Sequence, residues 1–180
     1  MMLSPYRRGA DDGFIFGLYL SVMFFASIYS AGLPVLSLLS LGMMVCVPVV
    51  IFVFMRRFEA ALKEYATFPM LWMQGVVIFF CGTIIAGALL VVYMKWVEPD
   101  YVLKQLEGLA ELGSKADGGF VAEAGEMAGK MIEANFIPSP IAIVTEIIMT
   151  SIVTGSLLSM AISGVMTLRR RVALRRFLDK

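Results

Sequence analysis

The chain has 180 residues, of which 59% are hydrophobic and 16% charged, with a formal net charge of +1 and no histidine. Soluble domains are about half apolar and about a quarter charged, so this composition argues against one. The absence of His also removes the commonest metal ligand and the commonest general base.

The apolar residues gather in long blocks without charge, which is the mark of membrane spans. The first block is Phe14–Ser30. Its core exceeds the roughly 7–15 residues of a signal peptide, and "IYSAG" offers no small-x-small cleavage site, so it reads as a retained span. A tight turn at Ala31–Gly32 leads to the second block, Leu33–Met55. Pro48 lies inside it and removes the hydrogen bond to the Met44 carbonyl, which predicts a kink. Such prolines are common in ordinary membrane helices, and no gate is inferred from it.

The third block, Met70–Met94, is bracketed by Trp72 and Trp96. These are 24 residues apart, or about 36 Å of helix, which puts one indole at each membrane interface. Pro69 suits the helix start. The fourth block is Ile141–Leu168, approached through Pro138 and Pro140. A helix crosses a hydrocarbon core of about 30 Å with roughly 20 residues. Lipid tolerates no irregular backbone, so all four blocks are expected to be helices. Alternating strands of about ten residues do not fit.

Between the third and fourth blocks lies a polar loop, 95–140. Val102, Leu103, Leu106, Leu109 and Ala110 recur at helical spacing after Pro99, with Gly113 as the expected stop. After "SKADGG", Phe120, Ala124, Met127 and Met131 share a second helical face. Two short amphipathic helices are expected, lying on the membrane or capping the bundle.

Lys and Arg are distributed unevenly. The N-terminal segment, the connection 56–69 and the tail together hold eleven, against four in the remaining segments. The positive-inside rule then places both termini in the cytoplasm and the loop 95–140 outside. That loop carries eight acids against four lysines, a net charge of −4. The tail 169–180 reads as a basic continuation of the last helix. Arg169, Arg170, Arg171, Arg175 and Arg176 are expected to contact anionic lipid head groups.

Candidate chemistry is sparse. Within the blocks as delimited, Glu146 is the only carboxylate. Intramembrane acids are costly and often functional. Counting back from Arg169 places Glu146 near the outer interface, where it either binds a proton, cation or substrate or makes a polar contact with the outer loop. Gln74 is a second polar candidate, for a hydrogen bond inside the bundle. Ser151, Gly155, Ser159 and Ser163 recur at every fourth position, which lets another helix approach closely. They lie on a different side of the helix from Glu146. Gly75, Gly82, Ala86 and Gly87 form the expected partner surface on the third span. Cys46 and Cys81 read as small packing residues. No metal-binding, phosphate-binding or nucleophile motif occurs, and no surface suggests nucleic acid.

Two spans joined by a tight turn, the basic connection "MRRFEAALKEYATF", a third span, the helical loop, the approach "NFIPSPIAIVTEI" and a Ser/Gly-rich last span ending in arginines form a pattern. It resembles the bacterial membrane-protein family known as domain of unknown function 4199, over nearly the whole chain. The resemblance implies a small inner-membrane protein of Gram-negative bacteria. Members of the family are encoded near glycosyltransferases acting on lipid carriers, and no catalytic residues carry over.

The expected fold is all-α, an integral membrane antiparallel four-helix bundle forming a single domain over 1–180. Its spans are about 14–31, 33–55, 70–94 and 141–168, with an extracytoplasmic amphipathic helical hairpin between spans three and four. The expected function is a non-enzymatic accessory or scaffold subunit in envelope or lipid-linked glycan assembly. It needs no cofactor or metal; its partners are membrane lipids and a membrane protein or a second copy. The alternative is a small dimeric transporter or lipid-handling protein that uses Glu146.

Overall fold

The computed structural model describes residues 4–31, 34–62, 65–116 and 118–178; for residues 31, 34 and 171–178 it describes the backbone alone. The expected turn at Gly32 and the side chains of Arg171, Arg175 and Arg176 lie outside the described residues. Among the described residues there are helices and no strands. The order is α1 (Pro5–Ile28), α2 (Pro34–Leu62), α3 (Phe68–Val92), α4 (Tyr101–Ser114), α5 (Phe120–Glu133) and α6 (Pro140–Leu178). Helices α1, α2, α3 and α6 are each long and apolar enough to cross a membrane.

Helix α1 begins at Pro5, a residue suited to a first turn. It therefore starts before the apolar block and includes Asp11 and Asp12. Helix α2 runs through Pro48 without a break. The chain forms two compact units: residues 1–87 with 147–180, and residues 88–146.

The first unit is built round one core. Phe16 of α1, Ile51, Phe54, Met55 and Phe58 of α2, Leu71, Ile78 and Phe79 of α3, and Met166 of α6 form a single buried cluster. Phe16 and Phe79 meet edge to face with ring centroids 5.2 Å apart. The Trp72 indole N–H donates to the Ser156 carbonyl at 3.2 Å and lies 3.3 Å from the Ser156 hydroxyl. Outside this core the helices stay apolar. Val35, Leu38, Met44, Val45 and Val49 of α2, and Met149, Val153, Leu157 and Met160 of α6, are all exposed. Such a surface is costly in water and costs nothing against lipid tails.

In the second unit α3 ends in a π-helical turn, Tyr93–Val97, where the Glu98 N–H donates to the Tyr93 carbonyl at 3.0 Å. The Tyr93 hydroxyl donates to Glu98 Oε2 at 2.8 Å, and Lys104 Nζ lies 2.6 Å from Oε1. These donors, Lys104 first, hold the Glu98 carboxyl below its ordinary value of 4.5. A lowered folded-state value means that the contact stabilises above that ordinary value and is lost as pH falls through the lowered one. The Glu98 carboxyl carbon should thus titrate below the ordinary value of 4.5 by NMR; a midpoint at or above that value counts against the contact.

Helices α4 and α5 pack as a hairpin. Their turn uses Gly118 (φ 105°) and Gly119 (φ 84°), a backbone region that side chains disfavour. Gly113 was expected to stop α4. The helix ends one residue later, at Ser114; Gly113 is buried, and a Cβ there would lie 2.5 Å from the Gly125 Cα. The inward residues of α5 are Gly125 and Ala128, while Phe120 and Met127 of the expected apolar face are exposed. Small residues face inward because the two backbones approach too closely for larger ones. Gly125→Ala should cost about 1–3 kcal/mol and raise amide exchange across α4 and α5; unchanged protection would contradict this packing.

Candidate functional site

The polar centre of the first unit arises from a series of small residues on α1. Gly9, Gly13 and Gly17 recur at every fourth position and face α3. A Cβ on Gly9 would lie 2.9 Å from Val77, one on Gly13 2.8 Å from the Cys81 Cβ, and one on Gly17 2.9 Å from Ile85. The two backbones therefore approach too closely for a side chain at these three positions. Asp12, in the middle of this series, is drawn into the interface and is only 3% exposed.

Its partner is Gln74 of α3, which is completely buried. Gln74 Nε2 donates to Asp12 Oδ2 at 3.0 Å. Arg8, one turn earlier on α1, brings its Nε to 3.6 Å from the same oxygen. The charge of Arg57 on α2 also reaches the carboxylate, and that of Asp11 opposes it. A buried carboxylate is tolerated when it is paired and hydrogen-bonded, and this one is both.

The next residue, Gly75, lies against Ser159 of α6, and the Met55 sulfur of α2 is 3.5 Å from where its Cβ would be. Asp12, Met55, Gln74 and Ser159 thus bring one residue from each of the four long helices to one level. Two polar atoms there, Gln74 Oε1 and Ser159 Oγ, are buried without a hydrogen-bond partner among the described residues. Ser159 still accepts through its carbonyl, from the Ser163 hydroxyl at 2.7 Å.

Gly155 is buried against the Phe79 ring, and Ser159 and Ser163 are fully buried, while Ser151 is half-buried. On α3, Gly75 faces α6, but Gly82 faces α1: its nearest neighbours are the Phe16 ring and the Gly13 carbonyl. The partner surface drawn for span four is therefore shared with span one. Gly87 is buried and Ala86 half-buried. Glu146 is exposed on α6 and makes no hydrogen bond or ion pair among the described residues. It is not the only carboxylate within a candidate span, because α1 carries Asp11 and Asp12. The charge-free block hid them by definition. Cys81 packs near Gly13, and Cys46 is exposed. Among the described residues, no group of three or more His, Cys, Asp or Glu could hold a metal ion.

Four apolar helices round a small buried polar layer define a multi-pass helical membrane protein. More specifically, residues 11–167 match the family described as "Protein of unknown function (DUF4199)". The chain belongs to that family, and the resemblance read from its spans and connections is correct. No curated protein and no solved structure matches it.

Proposed function

We propose that this is a non-enzymatic accessory or scaffold protein of a bacterial inner membrane, with both termini in the cytoplasm and the α4–α5 hairpin outside. The observation that carries the reading is the closeness of the helix interfaces. Along α1–α3, and at Gly75 and Gly155 between α3 and α6, there is no room for one methyl group. A substrate path through these interfaces would have to pull them apart. The exposed apolar faces of α2 and α6 remain for lipid or a partner helix. The asymmetry of eleven basic residues against four supports the orientation. Envelope or lipid-linked glycan assembly is the process proposed, from the neighbourhood that the family resemblance implies. Affinity purification from native membranes should recover a membrane protein in fixed ratio; recovery of this chain alone, without stoichiometric company, would oppose the reading.

Transport or lipid handling by a dimer is the second reading, and one observation favours it. Asp12 and Gln74 place a carboxylate and an unpaired carbonyl oxygen inside the bundle. Asp12 suits that role better than exposed Glu146. Proton-coupled uptake in vesicles that survives Glu146→Gln and fails in Asp12→Asn would support it.

A further inference from the structure

At the basic end of the bundle, α2 and α6 line an open cavity of about 290 Å³. Three guanidinium groups line it: Arg56 from α2, and Arg169 and Arg170 from α6. One carboxylate, Glu59, stands among them, so the lining carries a net charge of +2. Arg170 is anchored, donating from Nη1 to the Ala66 carbonyl at 2.7 Å. Arg56 and Arg169 form no ion pair or hydrogen bond among the described residues. Converging like charges repel, and their arrangement is unfavourable unless an anion completes it.

The remaining lining is apolar: Phe52, one turn before Arg56, and Met166, one turn before Arg169. The helical repeat carries these faces further. Val45 and Val49 precede Phe52 and Arg56 on the same side of α2, and Val165 lies one turn before Arg169 on α6. All three valines are exposed. The cavity thus presents cations at one end and an apolar strip running into the span. A free anion satisfies only the first part. An amphiphile satisfies both.

We infer that this cavity is a binding site for the phosphate head group of an anionic phospholipid, with an acyl chain lying along the valine strip. Guanidinium groups suit phosphate because they offer paired donors in a fixed fork. The charge of +2 favours a head group with two negative charges, such as the paired phosphodiesters of cardiolipin, over one. The site differs from general attraction of a basic tail to the membrane, because Arg56 belongs to another helix. The inference is independent of the accessory reading above.

The test is native mass spectrometry of the purified full chain with added lipid. Cardiolipin should be retained more than phosphatidylglycerol, and phosphatidylcholine least. Arg56→Ala and Arg169→Ala should each lower cardiolipin retention about fivefold. Arg7→Ala, which removes the same charge at the same end but away from the cavity, should change it little. Glu59→Gln removes the only opposing charge in the lining and should raise retention, which tests the site even if an arginine variant folds poorly. Equal losses in the Arg7 and Arg56 variants would overturn the proposal, as would an unchanged Glu59→Gln. Displacement of cardiolipin by inorganic phosphate at equal concentration would make this a free-anion site and would also overturn it.

Discussion

Gly13→Leu should leave little folded protein, while Gly42→Ala should leave the fold unharmed. A Cβ on Gly13 would lie 2.8 Å from the Cys81 Cβ, 3.2 Å from the Ile78 carbonyl oxygen and 3.4 Å from the Ile78 Cα. Two of those obstacles are backbone, and a backbone in a helix cannot swing aside. Relief requires α1 and α3 to separate, which also strips Asp12 from Gln74. Overpacking costs about 1–3 kcal/mol in typical cores and more where relaxation is blocked. That range is expected for Gly13→Ala, with Leu beyond it. Whole domains are stable by only about 5–15 kcal/mol. Gly42, on α2, has nothing within 4 Å of its Cβ position. Alanine there gains up to about 1 kcal/mol of helix propensity. Gly155 belongs with Gly13, because its obstacle is the root of the Phe79 ring, which is itself buried in the core against Phe16. Unfolding by SDS titration, followed by circular dichroism, should set variants at Gly13 and Gly155 apart from Gly42→Ala. A Gly13→Leu protein that unfolds at the wild-type point would refute the close α1–α3 contact.

The four spans were legible because a bilayer forces long charge-free runs on any helix that crosses it. The same criterion concealed the polar layer. A search for charge-free blocks ends at Phe14, two residues past the one buried carboxylate described in α1. The clue was nevertheless present. Gly9, Gly13 and Gly17 have the spacing that singled out Ser151 to Ser163, and they bracket Asp12. Read together, small residues at four-residue intervals beside an acid predict a helix that carries its carboxylate into a close interface. The hairpin shows a different limit. Amphipathic spacing located α4 and α5 but not the contact between them, because Phe120 and Met127 of the apolar face are exposed. When two backbones nearly touch, the inward face is marked by the smallest residues, Gly113, Gly125 and Ala128, not by the largest. The cavity at the basic end was illegible for a third reason. Arg56 and Arg169 are far apart in the chain, and only the packing of α2 beside α6 brings them together.

The Asp12–Gln74 pair offers the second large effect, and its sign depends on whether one partner is removed or both. Asp12→Leu leaves Gln74 Nε2 buried without an acceptor, beside an Oε1 that already lacks a donor. A stranded buried polar group costs about 1–3 kcal/mol. Gln74→Leu should be destabilising too, because it takes the hydrogen bond from a buried carboxylate and leaves it the Arg8 Nε at 3.6 Å and the charge of Arg57. The double variant Asp12→Leu, Gln74→Leu removes both partners and restores an apolar interface. It should be more stable than either single variant, since replacing both partners by apolar groups is nearly neutral. Arg8 is then free to extend toward water, its side chain being 42% exposed already. Asp12→Asn keeps an acceptor oxygen for Gln74 and should cost less than about 1 kcal/mol. The same SDS titration measures all four. Additive losses in the double variant would mean that the two side chains do not depend on each other. The asparagine variant separates structure from chemistry: it keeps the hydrogen bond and removes the ionisable group. If cells need only the bundle, Asp12→Asn will complement a deletion while Asp12→Leu will not. If both fail while Asp12→Asn remains folded, the carboxylate has work beyond holding α1 to α3.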